Sequence, residues 1–206
     1  RRDWSSDVCS SDLASIGIFV VSTDVVCLMF GVDYVLPTSI PFVLALNFYM
    51  VGIQNAVWTF GNTLGLFRQG RYLQIVTAGI NLVCSIWLGK KWGLFGILLA
   101  TAIARLFTGT WYDSFKLYKY GFGKSVWPYY RKRVFYFVLL IVTGGVCYQL
   151  GGLATFTATG NLVFKFIICC IVPNLIFGIL FYRSKEFQYY RNLLGRILGK
   201  IYKKGN

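Results

Sequence analysis

The sequence predicts an all-α polytopic membrane protein of about six transmembrane helices, and three observations carry that reading. Hydrophobic residues make up 56% of the 206 residues and charged residues only 14%, whereas a soluble domain carries about a quarter charged. The apolar residues come in long blocks instead of strand-like alternation. The 21 Lys and Arg, against 7 Asp and Glu, cluster at the ends of those blocks, where a bilayer with an anionic inner leaflet holds them. That distribution argues against a nucleic-acid partner, although the net charge of +14 would otherwise suit one.

A helix needs about 20 residues to cross the hydrocarbon core. Six segments meet or approach that length: Ala14–Phe30, Ser39–Phe60, Tyr72–Leu88, Gly93–Tyr112, Val134–Leu150 and Asn161–Tyr182. The joints "GKKWG" and "LGGLATFTATGN" are rich in glycine and read as tight hairpins. Residues 14–182 thus form the transmembrane unit. Residues 183–206 form a basic tail in which Phe187, Tyr190, Leu194, Ile197 and Ile201 recur at helical spacing among Arg191, Arg196, Lys200, Lys203 and Lys204. Such a pattern predicts an amphipathic helix lying on anionic inner-leaflet lipids.

The first segment begins abruptly behind a polar leader. Residues 3–13, "DWSSDVCSSDL", resemble one reading frame of a common sequencing-library adapter. Residues 1–13 are therefore expected to be foreign to the native chain, which would start at or near Ala14, partway into a helix. Cys9 then drops out of the cysteine count.

Orientation follows from the connections. Those after the second and fourth segments, with the tail, hold fifteen Lys and Arg, while the opposite face holds only Lys90 and Lys91. By the positive-inside rule the first helix runs outward and the C-terminus is cytoplasmic. Aromatic rings such as Tyr118, Tyr120, Trp127, Tyr129 and Tyr130 share the basic connections, as expected at headgroup level.

Polar residues inside the apolar blocks are costly, so their faces are informative. The second segment carries Asn47, Gln54, Asn55 and Asn62 on one stripe, the third Gln74, Thr77, Asn81 and Ser85, and the fourth Thr101, Arg105, Thr108 and Tyr112. The sixth carries Asn161 and Lys165 one turn apart. Hydrogen-bonding glue between helices explains any single stripe. Three consecutive stripes with Arg105 too deep to snorkel favour a shared polar lumen, made cationic by Arg105 and Lys165 and suited to an anionic group. Asp24, in the first segment, is a candidate for ion coupling or a partner for Arg105. Asp113 reads as an interfacial charge.

Other chemistry is thin. The chain has no His, which removes the commonest general base and zinc ligand. The remaining cysteines lie inside apolar blocks without a CxxC pair and read as small hydrophobes. "YGFGKS" lacks the glycine that a P-loop requires five residues earlier. "GNTLG" at Gly61–Gly65 fits the GxxxG packing pattern. No catalytic residue, metal site or cofactor is expected.

The stretch from Asp33 to Tyr130, with "NFY", "GLFRQGRY", "INLVCSI" beside "GLFGILLAT" and "YKYGFGKS", resembles Wzx-type polysaccharide flippases of the multidrug/oligosaccharidyl-lipid/polysaccharide exporter superfamily. It departs from them at Gln54, Asn55 and Gly61, where basic residues are common. The resemblance implies the C-terminal lobe of a two-lobed protein of 12–14 helices, working by alternating access in the bacterial cytoplasmic membrane. It implies movement of undecaprenyl-pyrophosphate-linked oligosaccharide units across that membrane for O-antigen, capsule or exopolysaccharide synthesis, with a missing N-terminal lobe as partner. The substrate cavity would then comprise Arg105, Lys165, Asn47, Gln54, Asn55, Asn81, Thr101 and Thr108. A drug or cation antiporter of the same superfamily should instead show an acidic cavity. A membrane polymerase or ligase should carry large outward loops, and here those loops are tiny.

Overall fold

The computed structural model describes residues 4–66, 70–123, 125–153 and 158–181. These are helical throughout: α1 (Trp4–Phe30), a 3₁₀ turn (Val32–Tyr34), α2 (Ser39–Thr63), α3 (Leu73–Arg105), a π-helical segment (Leu106–Asp113), the short α4 (Ser114–Lys116), a second π-helical segment (Leu117–Phe122), α5 (Trp127–Gly152) and α6 (Ala158–Phe181). Five stretches are long and apolar enough to cross a membrane: Ser11–Phe30, Ser39–Thr63, Leu73–Phe122, Trp127–Gly152 and Thr159–Phe177. Among the described residues no strand occurs. The basic tail 183–206, where the amphipathic helix is expected, lies outside the described residues.

Several boundaries differ from expectation. Helix α1 begins at Trp4, ten residues before Ala14, because nothing in the leader breaks a helix; Ser11, Asp12 and Ser15 are buried with it. The basic connection after the fourth segment is also mostly helical, in α4, the second π-helical segment and the start of α5. Pro128 sits in the first turn of α5, where its missing N–H costs nothing.

The third and fourth predicted segments emerge as one continuous stretch that doubles back. Its backbone turns at Gly93 (φ 57°, ψ −134°), a conformation open to glycine and strained for other residues. The two arms run antiparallel, since Asn81 Nδ2 donates to Thr101 Oγ1 and Thr77 Oγ1 to Thr108 Oγ1. Gly96 lies against the carbonyl of Leu88, where a Cβ would collide with it. Gly96→Ala is therefore expected to force the arms apart at a cost of about 1–3 kcal/mol, read as a lower denaturation midpoint in detergent. Gly79→Ala, with open space around its Cβ position, is the matched control.

Small residues set the packing. Ala100 and Ala104 are fully buried, which lets helix backbones approach closely. Ile16, Val20, Cys147 and Cys169 form a core joining α1, α5 and α6. Helix α1 packs on α2, α5 and α6, and α2 packs on α3. The "GNTLG" string closes α2 instead of gluing two helices. Gly65 has φ 70°, Leu66 N–H donates to Gly61 O and Gly65 N–H to Asn62 O, which together make a Schellman cap.

Candidate functional site

Two cross-helix bonds define the ends of the bundle. Asn47 Nδ2 donates to Leu98 O at 3.0 Å, close to the Gly93 bend. Trp58 Nε1 donates to Asp113 Oδ2 at 2.8 Å, at the end where α4 and the second π-helical segment lie. We refer to these as the Gly93 end and the Lys116 end.

Most of the predicted cavity residues are engaged with neighbouring helices. Asn47 also donates to Val43 O within its own helix. The Gln54 amide rests on Gly109, so closely that a Cβ there would overlap it. Asn81 accepts from Ser85 at 2.9 Å and donates to Thr101 at 3.4 Å. Thr108 is buried, takes the Thr77 hydroxyl at 2.8 Å and donates to Ala104 O. These contacts make Asn47, Gln54, Asn81, Thr101 and Thr108 interhelical fasteners, the alternative that the sequence left open. The physical reason is reach: polar side chains on packed helices lie close enough to bond or pack on the neighbouring helix. Asn55 differs, because its side chain is exposed and only its carbonyl is engaged, by Thr59.

Lys165 and Asp24 form an ion pair with each other. Lys165 Nζ lies 2.6 Å from Asp24 Oδ2, each side chain 21% exposed. The pair joins α6 to α1, and the Lys165 stem lies over Gly151 at the end of α5, where a Cβ would press on its methylenes. Lys165 thus pairs with Asp24, and among the described residues Arg105 forms an ion pair with neither. Asp24 lies six residues before the end of α1, about 9 Å along the helix axis. Burying either charge alone would be costly in hydrocarbon, so each compensates the other.

Among the described residues Arg105 has no counter-charge. It lies twelve residues beyond Gly93, about 18 Å along the helix at a rise of about 1.5 Å per residue, inside the apolar stretch Leu73–Phe122. Its side chain is half-buried. The two ion pairs among the described residues are Lys165–Asp24 and Lys116–Asp113, and neither includes Arg105. A guanidinium carries five donors in a fixed fork that matches carboxylate and phosphate.

Sequence reasoning missed the cluster at the Lys116 end. Asp113, read as an interfacial charge, is 2% exposed and accepts the Trp58 indole N–H. It also pairs with Lys116 at 3.4 Å, whose ammonium reaches the backbone of Gly70. The i, i+3 spacing of Asp113 and Lys116 was a legible signal, whereas the approach of Trp58 from α2 was not. Asp113→Ala strips the Trp58 indole N–H and the buried Lys116 ammonium of their partner together. It is expected to lower stability by about 2–4 kcal/mol, and Trp58→Phe by about 1 kcal/mol, measured by chemical denaturation in detergent.

The π-helical segments explain a second group. Their wider turns offer carbonyls to side chains of α5: Tyr130 Oη donates to Trp111 O at 2.6 Å and Arg133 Nη1 to Thr110 O at 3.1 Å. The Tyr130 ring stacks on Trp111 with centroids 4.7 Å apart, and Tyr129 packs on Tyr118 at 5.2 Å. Together these bonds fasten the first turns of α5 onto the end of the preceding helix. Among the described residues no group of three or more His, Cys, Asp or Glu could hold a metal ion. Comparison with known protein families, with curated proteins and with solved structures returns no match.

Proposed function

We propose that the chain is a six-crossing lobe of a flippase. It would move undecaprenyl-pyrophosphate-linked oligosaccharide units across the bacterial cytoplasmic membrane for surface polysaccharide synthesis. The observation that carries the reading is Arg105, a half-buried guanidinium inside an apolar stretch with no acid paired to it among the described residues. The resemblance of residues 33–130 to Wzx-type flippases supplies the cargo class. A diphosphate offers Arg105 the bidentate acceptor that its fork requires.

In this reading the two arms meeting at Gly93 each cross the membrane, which makes six crossings of the five apolar stretches. The Gly93 end faces outward, the Lys116 end faces the cytoplasm, and the tail stays cytoplasmic beside anionic lipids. A second lobe supplies the opposing wall of the cavity, and binding energy toward the diphosphate biases alternation between the two open states. Asn55, the one predicted cavity residue with an exposed amide that no bond among the described residues engages, would meet sugar hydroxyls. The two fully paired acids Asp24 and Asp113 leave little for a cationic drug, which speaks against the antiporter alternative.

The test is reconstitution of the intact protein in proteoliposomes with a fluorescent undecaprenyl-pyrophosphate oligosaccharide in the inner leaflet. Appearance of label in the outer leaflet, faster than in protein-free vesicles, is the expected outcome. Efflux of a cationic dye without any movement of the lipid-linked sugar would instead establish the antiporter.

A further inference from the structure

Beyond the cargo reading, and independent of it, the Lys116 end carries an exposed aromatic and cationic surface that no hydrogen bond or ion pair among the described residues uses. Lys119, Arg131 and Lys132 are exposed and join neither of the two ion pairs. The acid closest to them in sequence, Asp113, is buried and turned toward Trp58 and Lys116. The Lys119 ammonium is held over the rings of Phe115 and Tyr120, 5.2 and 5.6 Å from their centroids. Arg131 and Lys132 directly follow the two tyrosines that stack on Tyr118 and Trp111. The cations thus lie on either side of one connection, on elements that the Tyr118–Tyr129 and Trp111–Tyr130 ring contacts and the Tyr130–Trp111 and Arg133–Thr110 bonds hold together.

The rings themselves point to the partner. Trp111, Tyr120 and Trp127 are 58%, 55% and 72% exposed, an arrangement that wastes apolar area in water and suits the headgroup region, where amphipathic rings reside. They occur where the apolar stretches Leu73–Phe122 and Trp127–Gly152 meet. Among the described residues these three cations have no counter-charge, and with the rings beside them they complement the phosphate of a lipid whose acyl chains lie along the apolar helices. At the Gly93 end, by contrast, Lys90 and Lys91 are the only cations of the bend.

We propose that Lys119, Arg131 and Lys132, on the frame of Trp111, Tyr120 and Trp127, form a specific site for the headgroup of an anionic phospholipid. The site anchors the junction between the second π-helical segment and α5 to one leaflet. Each cation contributes an attraction of similar size, so the loss of all three is expected to weaken the first-bound lipid at least tenfold.

The experiment is native mass spectrometry of the full chain, released from detergent with phosphatidylglycerol, with phosphatidylcholine, or with soluble glycerol phosphate. The parent chain should retain one phosphatidylglycerol that K119Q/R131Q/K132Q binds at least tenfold more weakly, while K90Q/K91Q retains it unchanged. The tail is common to all three chains, so its cations cancel in the comparison. Equal retention by both variants would overturn the proposal. So would equal binding of phosphatidylcholine, and so would retention of glycerol phosphate as tight as that of the lipid, which would mark a phosphate site instead of a lipid site. Should the triple variant fail to fold, K119Q/R131K decides the matter: it keeps two of the three charges and should bind phosphatidylglycerol more weakly than the parent but more tightly than phosphatidylcholine, and equal binding of the two lipids would overturn the proposal.

Discussion

Arg105→Ala in the intact protein is expected to impair delivery of surface polysaccharide while leaving expression unchanged. The argument is one of compensation. A half-buried guanidinium inside an apolar stretch, with no acid paired to it among the described residues, carries a standing desolvation cost. Under the proposed function that cost is offset when the anionic cargo arrives, so Arg105 would serve binding and not the resting fold. A hydrogen bond to a charged group contributes about 1.5–3 kcal/mol, so its loss should slow lipid-linked sugar movement by roughly 10- to 150-fold. Stability should stay level or rise slightly, because an unpaired charge has been removed. Arg105→Lys should restore part of the flux, as it keeps the charge and loses the bidentate fork. Undiminished polysaccharide with alanine in place would remove Arg105 from the site, and a collapse in expression would make it structural.

The opposite signature is expected at the Asp24–Lys165 pair. Removing one member leaves the other as an uncompensated charge between α1 and α6, and for fully buried pairs that costs about 3–5 kcal/mol. Both side chains are 21% exposed, so about 2–3 kcal/mol is expected for Asp24→Ala or for Lys165→Ala. The double variant Asp24→Leu/Lys165→Met removes both charges and replaces them with apolar volume. It should therefore recover most of the loss, a coupling measured by a double-mutant cycle of detergent denaturation midpoints. The same double variant separates packing from ion coupling. If it folds normally yet no longer responds to a pH gradient, Asp24 carries the coupling; if the response persists, the pair is a fastener between helices and nothing more.

Much of the architecture was legible because a bilayer is a simple solvent. An apolar block of about 20 residues has few alternatives to a spanning helix, and the blocks ending near Phe30, Phe60 and Leu150 all appear as helices at those places. The "GKKWG" joint was legible for a similar reason, since glycine at the turn and Gly96 behind it admit a reversal that other residues would obstruct. The length of the basic connection was misjudged. Its Lys, Arg and Tyr residues read as loop, yet they form helix because Tyr130 and Arg133 find carbonyls in the π-helical turns.

The site was less legible. Periodicity placed Asn47, Gln54, Asn81, Thr101 and Thr108 on stripes, but a stripe looks the same whether it faces water or another stripe. Pairing of charges was equally hidden: Lys165 and Asp24 are 141 residues apart, and nothing local links them. Trp58 and Asp113 are 55 apart and meet only because α2 and the stretch after α3 pack side by side. Composition and block length, acting through hydration and backbone satisfaction, determined by themselves that this chain is a bundle of apolar helices with its cations at the ends. Which polar groups meet, and therefore which one is left without a partner, was decided by the tertiary structure, because the energy of a buried charge depends on the few atoms within reach of it.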